Sequence, residues 1–282
     1  MPGSPDSFER HITISRDGIT AVDALAAETD LSRQAIKQAM NKGAAWLTHA
    51  KHTQRLRRAS KALKLGDTLH LYYNPAVLAM QPPPASLIAD EGDYSIWYKP
   101  GGMLSQGSKW GDHCTISRWA EQHSEPQRPA FIVHRLDRAA SGLILIAHAK
   151  KVARALSELF RKHDIEKHYA AIVEGQFPDY PEVTTFNSDI DSKPAITHVR
   201  FVGYSKALNC TLLDVEIETG RKHQIRKHLA EAGFPIVGDR LYNPSDSHSL
   251  DLQLTAVSLT FTCPLTGQTR HYELDDALRP SL

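Results

Sequence analysis

Apolar residues recur at helical spacing along residues 19–28, ITAVDALAAE, and again over LSRQAIKQAMNKG, where Ile36 and Met40 lie one turn apart. Asp30 or Ser32 can cap the second of these helices, and Gly43 stands where it would stop. The period then changes. AAWLTHA, residues 44–50, reads as a short strand, and after a Gly66–Asp67 turn Leu69, Leu71 and Tyr73 alternate with polar positions. Residues 12–74 therefore predict a small α+β unit of two helices followed by strands. NPAVLAMQPPPAS carries four prolines in residues 74–86, cannot enter a sheet interior, and predicts a linker over 75–87. Residues 1–11, MPGSPDSFERH, show neither period and read as a disordered lead-in.

From residue 88 onward strands dominate. GLILIAH, residues 142–148, is a nearly unbroken apolar run, the mark of a strand covered on both faces. KVARALSELFRKHD follows with Val152, Ala155, Leu156, Leu159 and Phe160 on one helical face. YAAIVEG and ITHVRFVGY read as strands. TLLDVEIETG sets Leu213, Val215 and Ile217 against Asp214, Glu216 and Glu218. HQIRKHLAEAG predicts a short helix with Ile225 and Leu229 on one side and Gly233 past its end, and LQLTAVSLTFT a late strand. Helices and strands mix without regular βαβ alternation. Residues 88–282 therefore predict an α+β domain whose mixed, mostly antiparallel sheet is flanked by helices.

Composition narrows the class. A chain of 282 residues, 41% hydrophobic and 23% charged, has the balance of a soluble globular protein of two domains. No apolar run approaches the ~18 residues of a membrane span, and the N-terminus lacks the pattern of a secretory signal. Cys114, Cys210 and Cys263 form no CxxC pair, which excludes a zinc ribbon or disulfide framework and suits a reducing cytoplasm. The net charge of +1 hides an asymmetry: from Arg33 to Lys64 there are nine Lys or Arg and no acid. Arg33, Lys37, Lys42, Arg55, Arg57 and Arg58 form the kind of cluster that meets phosphates, with a solvated basic face as the competing reading.

Familiar catalytic signatures are missing: there is no GxxxxGK[ST] loop, no HExxH and no GxSxG. The fifteen histidines are scattered, so no metal is expected. Two segments remain. HRLDRAASG, residues 134–142, places Asp137 between Arg135 and Arg138 and leads through small residues into the apolar strand. ETGRKHQIRKH gathers Arg221, Lys222, Arg226 and Lys227 around a helix start, which would suit a phosphate or be a wet basic face.

Together these segments resemble the RluA branch of pseudouridine synthases. The match runs through Lys99-Pro100, His134-Arg135-Leu136-Asp137, Ser141-Gly142-Leu143, Lys167-x-Tyr169, the block TGR-x-HQIR-x-H at 219–228 and Val237-Gly238-Asp239, over roughly residues 88–275. The first unit resembles an S-four-like RNA-binding domain. The resemblance implies that Asp137 is the catalytic carboxylate, that Tyr169 stacks on the target base and that Arg226 pairs with the aspartate. It also implies that Arg135 fills the space left by a flipped uridine. His134, Arg221 and Lys99 would contact substrate, and Ile225 and Leu229 would line the pocket. Ala140 departs from the family, which usually has Thr there, so a hydrogen bond supporting the loop is lost.

The implied activity is isomerisation of uridine to pseudouridine in structured ribosomal or transfer RNA, by a cytoplasmic monomer with no metal, small-molecule cofactor or membrane partner. The target base must leave its stack to be reached, and an aromatic platform would hold it with about 1–3 kcal/mol. A carboxylate working in a poorly hydrated pocket needs a guanidinium nearby to stay ionised. Two other classes compete. A non-catalytic RNA-binding protein on the same fold would lack Asp137 or Tyr169, and both are present. A nuclease or glycosidase needs further carboxylates, and none neighbours Asp137 in sequence.

Overall fold

The computed structural model of the chain describes residues 7–179, 182–243 and 250–282 and divides it into two units. The first holds residues up to Pro82 together with the later segment Gln106–Trp119; the second holds Pro83–Ser105 and Ala120–Leu282.

In the first unit the order is β1 (Phe8–Thr13), α1 (Ala21–Glu28), α2 (Arg33–Asn41), β2 (Ala45–His49), β3 (His52–Arg55), β4 (Thr68–Tyr73) and α3 (Pro75–Ala79). The four strands form an antiparallel sheet ordered β1-β4-β2-β3. Leu25, Ile36, Met40, Leu69 and Leu71 are fully buried in one core that joins both helices to the sheet. Ser32, rather than Asp30, caps α2, its Oγ accepting the Ala35 N–H at 3.1 Å.

Three predicted boundaries are corrected here. The expected lead-in contains β1, because pairing with β4 brings Phe8 opposite Tyr73 and Ile12 opposite Leu69. Two apolar residues four apart give no period-2 signal; the strand exists through its partner. The expected linker is largely built into elements. Pro75 opens α3, where its missing N–H costs nothing, Asn74 Oδ1 accepts the Val77 N–H at 3.0 Å, and Ser86 already starts a strand. The later segment 106–119 belongs with the first unit, so this unit is not one stretch of sequence.

The second unit is built on β5 (Ser86–Asp90), β6 (Tyr94–Lys99), β7 (Phe131–Ile132), β8 (Ser141–Ala147), β9 (Ile165–Glu174), β10 (Thr184–Ile190), β11 (Lys193–Ser205), β12 (Cys210–Ile217), β13 (Leu254–Thr262) and β14 (Thr269–Glu273). Helix α4 (Ile116–His123) begins in the first unit's segment and ends in the second, while α5 (Lys150–Lys162) and α6 (Gln224–Glu231) lie wholly in the second. The main strand order is β10-β11-β12-β9-β13-β8-β6-β5, with β14 beside β13 and β7 beside β8. Only β8 and β13 run parallel; the other described pairs are antiparallel. The expected α+β class with a mixed, mostly antiparallel sheet is what the structure shows.

The parallel pair is tight at one point. Gly142 has φ +112°, and a Cβ there would sit 2.3 Å from the Ala256 carbonyl oxygen. Only glycine allows β8 to lie so close to β13. The residues just before it therefore leave the sheet at a fixed place, and Asp137 is among them.

Candidate active site

The Asp137 loop is pinned on both sides of the carboxylate. Before it, the Leu136 N–H donates to Ser105 Oγ at 3.0 Å, and that hydroxyl donates back to the Leu136 carbonyl at 2.7 Å. After it, Lys99 Nζ, fully buried, donates to the carbonyls of Ala140 at 2.6 Å and of Pro100 and Met103 at 3.0 Å. Burial pushes the lysine pKa down to about 7, with Asp137 pulling the other way. This corrects the expectation that Lys99 meets substrate. Its donors are spent on backbone carbonyls, and it braces the loop from beneath. The loop's support thus runs through the Ala140 backbone, while the methyl is packed in the core beside Ala171, Leu213 and Leu254. Thr at 140 is not needed for it.

Helix α6 supplies the opposing wall. Its Arg226, with 5% of the side chain exposed, donates from Nη1 to Asp137 Oδ2 at 3.2 Å. The same guanidinium grips Asp239 with two hydrogen bonds of 2.7 Å, from Nε and Nη2. Asp239 has no exposed side-chain surface and also accepts the N–H groups of Leu241 and Tyr242 at 3.0 and 3.2 Å. Burial opposes the charge of both partners, yet their bidentate pairing wins. It holds Asp239 below the ordinary carboxylate value and Arg226 above the ordinary guanidinium value. Arg226 is thus fixed by a second aspartate before it touches Asp137. Asp239 was missed as a functional residue in the sequence, although Val237-Gly238-Asp239 stood out as a motif. That second acid is also no glycosidase partner, since its oxygens are already engaged.

His223 was missed as well. It caps α6 in the left-handed region (φ 57°), with Nδ1 2.9 Å from the Tyr242 hydroxyl and Nε2 3.8 Å from Asp137 Oδ1. Burial holds its pKa below the usual imidazole value against the pull of Asp137, so it stands beside the carboxylate as a neutral ring. Gln224 locks the preceding turn. Its Oε1 accepts from the Arg221 N–H and the Thr219 hydroxyl, and its Nε2 donates to the Ile196 carbonyl.

Tyr169, projecting from β9, faces Asp137 across a small cavity of about 90 Å³ with Ile217, Ile225 and Leu254 on its wall. Burial, with the nearby Asp137 charge, raises the Tyr169 pKa, so the ring is a neutral platform. The cavity opens into a cleft of about 610 Å³ that also reaches Arg135, Arg221 and Lys222. Arg135 is exposed there. Among the described residues that line these two spaces, Asp137 is the one carboxylate.

Three further expectations are revised. Leu229 lies in the core, fully buried, because one helical turn beyond Ile225 carries it below the pocket floor. His134 borders the cleft, but its Nε2 accepts the Leu145 N–H at 3.0 Å and its ring stacks on Phe160 at 4.2 Å. Burial drops its pKa to about 3, so it is a neutral strut for β8. Of the basic residues at the start of α6, Arg226 turns inward and Lys227 pairs with Asp191 at 3.1 Å. Arg221 keeps its place in the cleft, its Nε held by the Pro194 carbonyl at 2.9 Å.

The six basic residues assigned to RNA in the first unit separate in the same way. Arg33 pairs with Asp23 at 2.9 Å, and Lys42 Nζ donates to the Leu78 carbonyl at 2.6 Å. Arg55 and Arg57 converge on Asp112, and Arg55 also binds the Gly43 and Ser108 carbonyls and lies 4.2 Å over Trp46. Lys37 and Arg58 alone of the six remain exposed without an ion-pair partner among the described residues. A basic run in sequence does not reveal that its acid arrives from residue 112.

Glu166, His168 and Glu216 bring possible metal ligands within 4.8 Å of one another. Hydrogen bonds to Asp214 and Glu166, at 3.1 and 2.9 Å, outweigh burial and raise the His168 pKa to about 9. The ring is a protonated bridge between carboxylates rather than a ligand.

The RNA pseudouridylate synthase family matches residues 93–231 of the chain. An uncharacterized RNA pseudouridine synthase of Chloroflexus aurantiacus is 32% identical over 280 residues, covering 87% of this chain and 82% of that protein. The dual-specificity RNA pseudouridine synthase RluA of Haemophilus influenzae is 32% identical over 216 residues, covering 70% of this chain and 94% of the relative. In fold, the human RNA pseudouridylate synthase domain containing 1 superposes with a TM-score of 0.58 at 19% identity, over 71% of this chain and 88% of that one. The chain belongs to the RNA pseudouridine synthase family. Within it the relatives place the chain in the RluA branch, and it is an isomerase of RNA uridines.

Proposed function

We propose that this enzyme forms pseudouridine in ribosomal or transfer RNA, working on a flipped uridine with the Asp137 carboxylate. One observation carries the reading: Asp137 is the sole carboxylate lining the small cavity and its cleft among the described residues, and it is 26% exposed. The chemistry breaks the bond from N1 to the ribose C1′, forms one from C5 to C1′, and moves a proton from C5 to N1. Atoms and electrons balance without a co-reactant. The flipped base lies on Tyr169 against Ile217, Ile225 and Leu254, a wall that keeps water from the separated base and sugar. Arg226 keeps Asp137 in place, and the neutral His223 beside it is suited to passing a proton. Arg135 is exposed at the cleft and fits the space that a flipped base leaves.

The first unit serves as an S-four-like RNA-binding domain, with Lys37 and Arg58 as its exposed cations, and the enzyme acts as a cytoplasmic monomer. The test is to incubate purified protein with ribosomal and transfer RNA in a chelator and map pseudouridine. Conversion at defined uridines by the wild type, and none by Asp137→Asn with RNA binding intact, is expected. An active Asp137→Asn protein would take the chemistry away from this carboxylate.

A further inference from the structure

Lys167 is a buried charge outside the network of Asp137, Arg226 and Asp239. It lies on β9 two residues before Tyr169, so both side chains leave the same face of the strand. Only 6% of it is exposed, yet among the described residues it makes no hydrogen bond and no ion pair within 4.0 Å. Glu216, whose charge acts on it, is opposite His168 in the register and so belongs to the other face of the sheet. His134 beside it is neutral and supplies no counter-charge. The contrast with Lys99 is direct: that side chain is fully buried, and its ammonium is surrounded by carbonyls. An ion taken out of water without a partner is expensive, and folds keep one only where something else supplies the partner.

Lys167 lines the broad cleft that opens from Asp137 and Tyr169. Arg135, Arg161, Arg221 and Lys222 line it too, against the one carboxylate among the described lining residues, Asp137. Arg161 is held by Glu158 at 2.9 Å and Arg221 is tied at Nε to a carbonyl, whereas Lys167 is uncommitted. A cleft so lined attracts anions, and the anion nearest a flipped uridine is its own backbone phosphate.

We infer that Lys167 is the phosphate-binding residue for the target nucleotide, holding a phosphodiester oxygen next to the ribose while the base stacks on Tyr169. The inference rests on the reading of the cleft as a uridine site and adds a subsite to it. A point charge two residues from the base platform fixes the sugar between two anchors, which sets the reacting C1′ against Asp137. Burial draws the lysine pKa down to about 8, and a bound phosphate would raise it again.

The probes are uridine, uridine 5′-monophosphate and uridine 3′-monophosphate, titrated by NMR into the full-length protein. One monophosphate should bind about tenfold more tightly than uridine to the wild type. That preference should shrink to about twofold in Lys167→Met and Lys167→Gln and survive in Lys167→Arg. The variants should unfold at the same temperature as the wild type or higher, because an unpaired buried ion has been removed. On RNA, Lys167→Met should raise KM more than it lowers kcat and reduce the salt slope by about 0.7, one single-strand phosphate. An equal preference in wild type and Lys167→Met, or none in the wild type, overturns the inference. So does a lowered unfolding temperature with uridine binding lost, which would make Lys167 structural. A wild type that makes no pseudouridine in RNA would instead overturn the functional reading, whatever the nucleotides show.

Discussion

Each unit of the molecule has a place where arginine meets aspartate, and the two places are inverse in arithmetic. In the first, Arg55 and Arg57 close on one carboxylate, Asp112. In the second, one guanidinium, Arg226, serves two carboxylates, the buried Asp239 and the accessible Asp137. Both cations meet one oxygen, Asp112 Oδ2, and the other, Oδ1, is buried without a hydrogen-bond partner among the described residues. The cluster therefore holds the Gly43 turn and the 106–112 segment together and offers no unpaired oxygen to solvent. One cation on two anions leaves a carboxylate oxygen facing the cleft. Asp239 takes the guanidinium's strong bidentate geometry, and Asp137 receives a single bond of 3.2 Å. What sets Asp137 apart from Asp112 is its place on the cavity and cleft.

Substitutions at the two clusters should diverge. The largest effect is on chemistry: Asp137→Asn should lower turnover by at least about a thousandfold, measured as pseudouridine formed in single-turnover assays. Its unfolding midpoint should match the wild type, since the lost bond is peripheral. Next comes stability. Asp239→Ala strands a buried guanidinium and should cost about 3–5 kcal/mol in urea unfolding, with turnover falling because Arg226 swings from Asp137. Asp112→Ala should cost only roughly 1–2 kcal/mol, because water reaches its two arginines, whose side chains are 17% and 25% exposed. Equal costs at the two sites would erase the distinction.

The same pair carries a pH signature. Asp239 titrates below its ordinary value of 3.8, so its contribution to stability is complete above that pH and is lost as pH falls further. Acid unfolding curves of the wild type should therefore steepen below about pH 4, and Asp239→Asn should lack that steepening. The smallest effect concerns RNA affinity. Lys37→Ala with Arg58→Ala should reduce the salt slope of RNA binding by about 0.9 for each duplex phosphate released. Arg57→Ala should alter unfolding first. If Arg57→Ala lowers the slope as much while stability holds, the Asp112 cluster opens on RNA.

The local pattern of the chain determined a good deal. Helical spacing around Ile36 and Met40, the apolar run at 142–148 and the alternation of Leu213, Val215 and Ile217 each place an element where the fold has one, within a residue or two. Motif resemblance singled out Asp137, Tyr169 and Arg226, which the structure brings to one cavity. These features are encoded over a few neighbouring positions, where side-chain periodicity and turn chemistry act. Tertiary structure decided the rest, because charge and hydrogen-bond partners come from anywhere in the chain. Lys99 and His134 look like site residues in their motifs and are framework once their partners at 100, 140 and 145 are known. Arg55 and Arg57 look available until Asp112 is folded against them. Arg226 looks devoted to Asp137 until Asp239 takes two of its hydrogen bonds, and Lys167 looks ordinary until the fold buries it with no ion-pair partner among the described residues. Sequence names the groups; burial and distance assign each one to scaffold or to substrate.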